Sequence, residues 1–142
     1  MAKIQPYQHK VQYYETDKMA IVHHSNYVRW MEEARVFFLE QVGAPFEKIE
    51  EMGILCPVLE VSCKYLNMVR FGETVTIDVR LSEFSGVKMY VVYDMYKADG
   101  TLCCTAESRH CFMKDGKVLN LKRKYPEVYQ KFFEDPENFV VK

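Results

Sequence analysis

An α+β domain, with one five-stranded antiparallel sheet packed on one long helix, is the fold class this sequence predicts. Three observations predict it. Apolar residues fall at every second position near the start of the chain, at helical spacing from Ser25 to Val42, and at every second position again in four later runs. The resulting order, one strand, one helix and four strands, suits a helix laid on one face of an antiparallel sheet. The length of 142 residues is that of one domain, so positions 1–142 are expected to form a single unit.

Each element has its own warrant. In 7–14, Tyr7, His9, Val11 and Tyr13 alternate with Gln8, Lys10 and Gln12, the pattern of a half-buried strand in which Tyr13 faces the core. From Ser25 the period changes. Tyr27, Trp30, Met31, Ala34, Phe38 and Val42 form the apolar stripe of a helix of about 17 residues, or roughly 25 Å. Ser25 or Asn26 can cap its start, and Gly43 followed by Pro45 ends it. Positions 45–52 add a short helical turn. In 58–67, Leu59, Val61, Cys63 and Tyr65 alternate with Glu60, Ser62 and Lys64. In 73–83, Val75, Ile77, Val79 and Leu81 alternate with Thr74, Thr76, Asp78 and Arg80. Strands over 87–97 and 101–114 are joined by Asp99-Gly100, a strong hairpin signal. Ser85-Gly86 and Asp115-Gly116 are turns, and Pro126 opens a short helix reaching Glu134. One helix covers one sheet face only, so bare edges and an outer face favour dimerisation.

Composition removes several function classes. Hydrophobic residues at 49% and charged residues at 27% are those of a folded globular chain. Nineteen basic against twenty acidic residues give a net charge of −1, without the basic excess of a nucleic-acid binder. No apolar run approaches the roughly 18 residues of a membrane span. The N-terminal stretch lacks a signal-peptide apolar region, so a cytoplasmic protein is expected. The five cysteines, Cys56, Cys63, Cys103, Cys104 and Cys111, contain no C-x-x-C pair. They are expected to be reduced and to pack as small apolar residues, with Cys103 and Cys104 on opposite faces of a strand. Neither a metal site nor a cofactor site is expected.

Chemistry concentrates in Tyr13-Tyr14-Glu15-Thr16-Asp17-Lys18-Met19-Ala20-Ile21-Val22-His23-His24-Ser25-Asn26-Tyr27. A carboxylate, two histidines and a helix start lie within 15 residues. Free N–H groups and the helix dipole at such a terminus can polarise a carbonyl and hold the oxyanion formed when it is attacked. Asp17 can then act as nucleophile or as general base on water. His24 can hydrogen-bond a substrate, water or the carboxylate. Taken singly, Asp17 is an ordinary turn residue and the histidines an exposed polar pair. The residues by themselves leave both readings open.

The run Tyr-Tyr-Glu-Thr-Asp-x-x-Ala-x-Val-x-His-x-Asn-Tyr, followed by Met31-Glu32-Glu33-Ala34-Arg35, resembles the hotdog-fold acyl-CoA thioesterases of the 4-hydroxybenzoyl-CoA thioesterase family. The bacterial Tol–Pal-cluster type is the nearest in pattern. The resemblance implies a hotdog fold, a sheet wrapped around one central helix, and hydrolysis of an acyl-CoA to free acid and CoA. It puts Asp17 in the place of the catalytic carboxylate, and His24 at the position whose backbone N–H polarises the thioester carbonyl. Tyr13 matches a tyrosine near the acid. Two letters depart from the family pattern. Ala20 replaces the usual Gly, which costs energy if the loop needs positive φ there. His23 replaces Tyr or Phe and alters the pocket.

The same resemblance implies a homodimer with a continuous sheet, often paired again into a homotetramer, with the acyl pocket between subunits. Residues around Leu59–Cys63, Ser62 among them, are wall candidates from the partner. Lys64, Arg70, Lys88, Arg109 and the run Lys122-Arg123-Lys124 are the cations available for CoA phosphates. An acyl carrier protein in place of CoA stays open as partner. Two competing readings are a hotdog hydratase or dehydratase, using His24 with Asp17 as proton shuttle, and a non-catalytic acyl-CoA-binding protein.

Overall fold

The computed structural model describes residues 4–140. The elements run β1 (Tyr7–Lys10), a 3-10 turn (Tyr13–Glu15), α1 (Ser25–Val42), α2 (Phe46–Glu51), β2 (Val58–Tyr65), β3 (Thr74–Phe84), β4 (Lys88–Tyr96) and β5 (Leu102–Cys111). After these come a small hairpin of β6 (Met113–Lys114) and β7 (Lys117–Val118), then α3 (Leu121–Lys124), α4 (Pro126–Lys131) and a 3-10 turn at Pro136–Asn138. The main sheet is antiparallel throughout, with strand order β1-β3-β4-β5-β2. This is the expected five-stranded sheet with one long helix.

The helix stripe read from the sequence is the buried face of α1: Tyr27, Trp30, Met31, Ala34, Phe38 and Val42 are all buried. Gly43 ends the helix at φ 96°, where a left-handed residue lets its N–H and that of Ala44 return to the Leu39 carbonyl. Under the helix lie Val75, Ile77, Val79 and Leu81 of β3 and Met89, Val91, Tyr93 and Met95 of β4, all buried. The Asp99-Gly100 and Ser85-Gly86 turns join the strands as expected. Cys103 and Cys104 are both fully buried, and all five cysteines are free thiols. Among the described residues, no helix is long and apolar enough to cross a membrane.

Two expectations are corrected. The first strand stops at Lys10, not residue 14: after one further bond in the same register, from the Val11 N–H to the Glu73 carbonyl, the chain coils into the 3-10 turn. Tyr13 therefore does not face the core; it is 76% exposed, edge-on to Phe71 at 5.7 Å. The second concerns β2, whose letters alternate like those of β3 without an alternation of burial. Leu59 is 59% exposed, and Val58, Val61 and Tyr65 are exposed as well. β2 is an edge strand, paired with β5 alone, so its outer backbone groups and much of its apolar surface remain uncovered.

Candidate active site

Asp17 stands in a tight hairpin inserted between the 3-10 turn and α1. Thr16 and Val22 pair as an antiparallel bridge. The Asp17 N–H donates to the Ile21 carbonyl at 2.9 Å, and the Ala20 N–H donates to the Asp17 carbonyl at 3.0 Å. Closing so short a loop places Ala20 at φ 60°, the left-handed conformation that glycine adopts without cost. The condition under which Ala20 would be strained is met. One carboxylate oxygen of Asp17 accepts the Met19 N–H at 2.8 Å, which fixes the side chain and leaves the second oxygen for other work.

The start of α1 is built differently from the expected cap. Neither Ser25 nor Asn26 caps it with its side chain; His24 holds the cap position in helical conformation. The His23 ring takes over in part, since its Nδ1 accepts the Ser25 N–H at 3.3 Å and lies 2.8 Å from the Ser25 hydroxyl. The Asn26 side chain turns back instead and donates to the Glu15 carbonyl at 2.9 Å. The N–H groups of His23, Asn26 and Tyr27 go to the carbonyls of Glu15, His23 and His24. The N–H of His24 has no protein acceptor among the described residues, and it stands at the positive end of an 18-residue helix.

Asp17 and His24 line the same cleft, of about 390 Å³, together with Ile21, Val22, His23, Tyr27, Tyr65, Leu66, Asn67 and Met68. Its wall combines two distant segments, the hairpin with the helix start and the end of β2. Tyr65 joins them through a long 3.4 Å hydrogen bond from its hydroxyl to the His24 carbonyl. Burial and the neighbouring Cys63 thiol push Tyr65 up to about 12, so the hydroxyl keeps its proton. The His23 and His24 rings lie against each other, with centroids 4.2 Å apart. The arrangement can present an apolar acyl group to a donor N–H on one side and a carboxylate on the other.

The structure thus brings Asp17, His23 and His24 together. Tyr13 lies beside Asp17 on the outer side of the hairpin, in a shallow surface shared with Tyr14 and Lys18. Ser62 is exposed on β2, opposite Glu107, and does not line the cleft. Lys88 pairs with Cys111, whereas the cleft end of β4 is Tyr96, eight residues and about 25 Å along the strand. The basic run lies near Lys88, because the Leu121 N–H donates to the Gly86 carbonyl. In the sequence Tyr65 reads only as a strand residue, and Leu66–Met68 carry no signal of a site.

Glu15 was also passed over. It is 4% exposed, and its carboxylate collects three donors: His9 Nε2 at 2.8 Å, the Gln12 N–H at 2.8 Å and Trp30 Nε1 at 2.7 Å. Burial alone would raise its pKa, but these hydrogen bonds outweigh it and hold the carboxyl below its ordinary range.

Residues 11–133 match the thioesterase-like superfamily, and the chain belongs to it. A Bacillus subtilis relative named "Putative acyl-CoA thioesterase YneP" is 32% identical over 120 residues, covering 83% of this chain and 87% of its own. A crystal structure of an Aquifex aeolicus protein is 35% identical and superposes with a TM-score of 0.81, covering 87% of this chain and 98% of that one. The DHNA-CoA thioesterase of Staphylococcus aureus shares the fold at 24% identity and a TM-score of 0.87, over 92% of this chain and 89% of its own. The fold is the hotdog fold of this superfamily.

Proposed function

We propose that the protein is a thioester hydrolase that cleaves an acyl-CoA to the free acid and CoA. The observation that carries the reading is the His24 N–H at the start of α1, without a protein acceptor among the described residues, in a residue that lines the same cleft as Asp17. The thioester oxygen accepts this N–H, and the helix dipole favours the negative charge that grows there. The free Asp17 oxygen either takes a proton from an attacking water or attacks the carbonyl carbon itself. The C–S bond breaks, the sulfur takes a proton and leaves as CoA thiol, and water supplies the oxygen of the released acid. Geometry favours hydrolysis over a histidine–acid shuttle: His24 makes no hydrogen bond to Asp17, and the paired histidine, His9, is held by Glu15 away from the cleft lining.

The motif supports the 4-hydroxybenzoyl-CoA thioesterase family of the Tol–Pal type, working as one hotdog unit over the chain. Free thiols at all five cysteines suit the cytoplasm. The bare β2 edge supports a homodimer. A two-fold pairing of β2 with its copy is antiparallel, so the Val58 end of one chain meets the Tyr65 end of the other. The partner's basic end, with Lys88 and Lys122-Arg123-Lys124, then flanks the cleft, where CoA phosphates need cations. A second pairing would make a homotetramer. The test is release of free thiol from a panel of short, long and aromatic acyl-CoAs. Asp17→Asn keeps the Met19 hydrogen bond and is expected to cut turnover at least about 100-fold. Near-normal turnover overturns the mechanism.

A further inference from the structure

We propose that Glu15 is a positioning residue, a buried carboxylate that holds the Asp17 hairpin and the start of α1 in one fixed relation. The inference rests on the catalytic reading of Asp17 and His24 for its consequence, though not for its geometry.

The two catalytic elements lie where the sheet gives no support. β1 ends at Lys10 and α1 begins at Ser25, and between them only isolated bridges pair the backbone. Backbone bonds tie the hairpin to the 69–70 segment, through the Val22 N–H on the Val69 carbonyl at 2.8 Å and the Ile21–Arg70 bridge, while Glu15 ties it to β1 and α1. Its carboxylate reaches β1 through His9, the start of the 3-10 turn through Gln12 and the second turn of α1 through Trp30. Its carbonyl accepts the His23 N–H at 2.9 Å and the Asn26 amide at 2.9 Å. The Glu15–His23 bond is the rung next to the Thr16–Val22 bridge, so it closes the base of the hairpin that carries Asp17. It also fixes the residue immediately before His24.

His9 extends the clamp outward. Its Nδ1 lies 3.3 Å from the Glu33 carboxylate while Nε2 meets Glu15, and the Tyr7 hydroxyl donates to the same Glu33 oxygen at 3.0 Å. The His9 ring also packs on Trp30, with centroids 4.8 Å apart. Glu33 belongs to α1 and Tyr7 to β1, so these contacts brace the strand against the helix on which the hairpin rests. A carboxylate is suited to the centre of such a clamp, because it only accepts and has about four lone-pair sites for three donors. An amide in its place would offer an N–H to groups that themselves donate.

Glu15→Gln and Trp30→Phe test the assignment, the second because it removes one donor and keeps a large ring. Ser108→Ala is the control: it removes a buried hydrogen bond between β4 and β5, remote in the fold from the cleft lining. Hydrogen exchange in the unliganded protein is the readout independent of activity. Both clamp variants are expected to speed exchange of the Asp17 and His23 amides tenfold or more, and Ser108→Ala to leave them within twofold. In steady state Glu15→Gln is expected to lower kcat about tenfold with KM changed less than threefold. In the Asp17→Asn background the same substitution is expected to change the residual rate less than twofold. Unchanged exchange at Asp17 and His23, or a full tenfold further loss in the Asp17→Asn background, overturns the positioning role. Near-normal turnover of Asp17→Asn alone instead overturns the catalytic reading and leaves the exchange result standing as the test of the clamp.

Discussion

Two buried polar clusters touch α1, and they are built on opposite plans. Around Glu15 a negative centre is surrounded by donors, and both carboxylate oxygens are used. The other cluster is a chain. Arg35 Nη1 donates to the Tyr93 hydroxyl at 3.0 Å, Tyr93 lies 2.6 Å from the Ser108 hydroxyl, and Ser108 lies 2.8 Å from His110 Nε2. With the Pro57 carbonyl beside Nδ1, the neutral imidazole carries its proton there, so Nε2 accepts from Ser108, Ser108 accepts from Tyr93 and Tyr93 accepts from Arg35. That Nδ1 lies near the Pro57 carbonyl without meeting it in hydrogen-bond geometry. Tyr93, Ser108 and His110 sit in β4 and β5, where the ladder already fixes their backbones, and one orphan donor is tolerated. Glu15 sits outside the main sheet, where only short bridges pair the backbone, and its side chain supplies ties to β1 and α1 that no strand pairing gives. The clusters differ because one reinforces an ordered sheet and the other substitutes for one.

The largest expected effect separates the two directly. Glu15→Ala strands the Gln12 N–H, His9 and Trp30 Nε1 at once; the fully buried Trp30 donor costs about 1–3 kcal/mol and the Gln12 and His9 donors, which water can reach, about 1 kcal/mol each, for a loss of about 3–5 kcal/mol. Ser108→Ala interrupts one chain inside a sheet that holds its shape, for about 1–2 kcal/mol. Chemical denaturation of both variants at one pH checks the order. Equal losses would erase the distinction between a substituting and a reinforcing cluster.

Acid provides the next measurement. Burial first, and then the Arg35 charge, depress His110 to about 4 from its ordinary 6.5. Between these values the unfolded chain binds a proton that the folded one refuses. The histidine's contribution is therefore complete above about pH 6.5 and shrinks as the pH falls towards 4, by about 3 kcal/mol in all. Glu15, depressed below its ordinary 4.5, contributes above that value and loses its share at lower pH. Of the two clusters, the chain thus fails first on acidification. Denaturation at pH 7, 6 and 5 is expected to show a slope in the wild type that His110→Asn reduces. The same slope in both proteins would remove His110 from the account.

How far the letters carried follows the same division between ladder and loop. The stripe of α1 and the alternation of β3 were legible, because a one-sided helix and a half-covered central strand write their burial as periods of 3.6 and 2. β2 has the same alternation as β3, but position at a sheet edge is not written in a strand's own letters. Tyr13 was misread because the alternation from Tyr7 to Tyr13 runs on past Lys10, where the ladder stops. In the cleft, Asp17, His23 and His24 are legible together because they are neighbours in sequence. Tyr65 and Leu66–Met68 arrive from about forty residues away through the sheet. Glu15 reads as one more acid in a polar stretch, and only its contacts with His9 and Trp30 reveal that it is buried.

The smallest effect tests whether the clamp or the hairpin tip aims Asp17. Ala20 at φ 60° carries a left-handed strain of about 1–2 kcal/mol that glycine avoids. Glycine in turn loses about 0.5–1 kcal/mol of chain entropy on folding. Ala20→Gly is therefore expected to stabilise the protein by about 0.5–1 kcal/mol, read as a higher denaturation midpoint at unchanged slope. If Glu15 sets the hairpin from its base, relaxing the tip leaves kcat within about twofold, because the Glu15–His23 and Asp17–Met19 bonds remain. A stabilised variant with a tenfold lower kcat would mean that the strained alanine itself directs the carboxylate. Control would then pass from the buried base of the hairpin to its exposed tip.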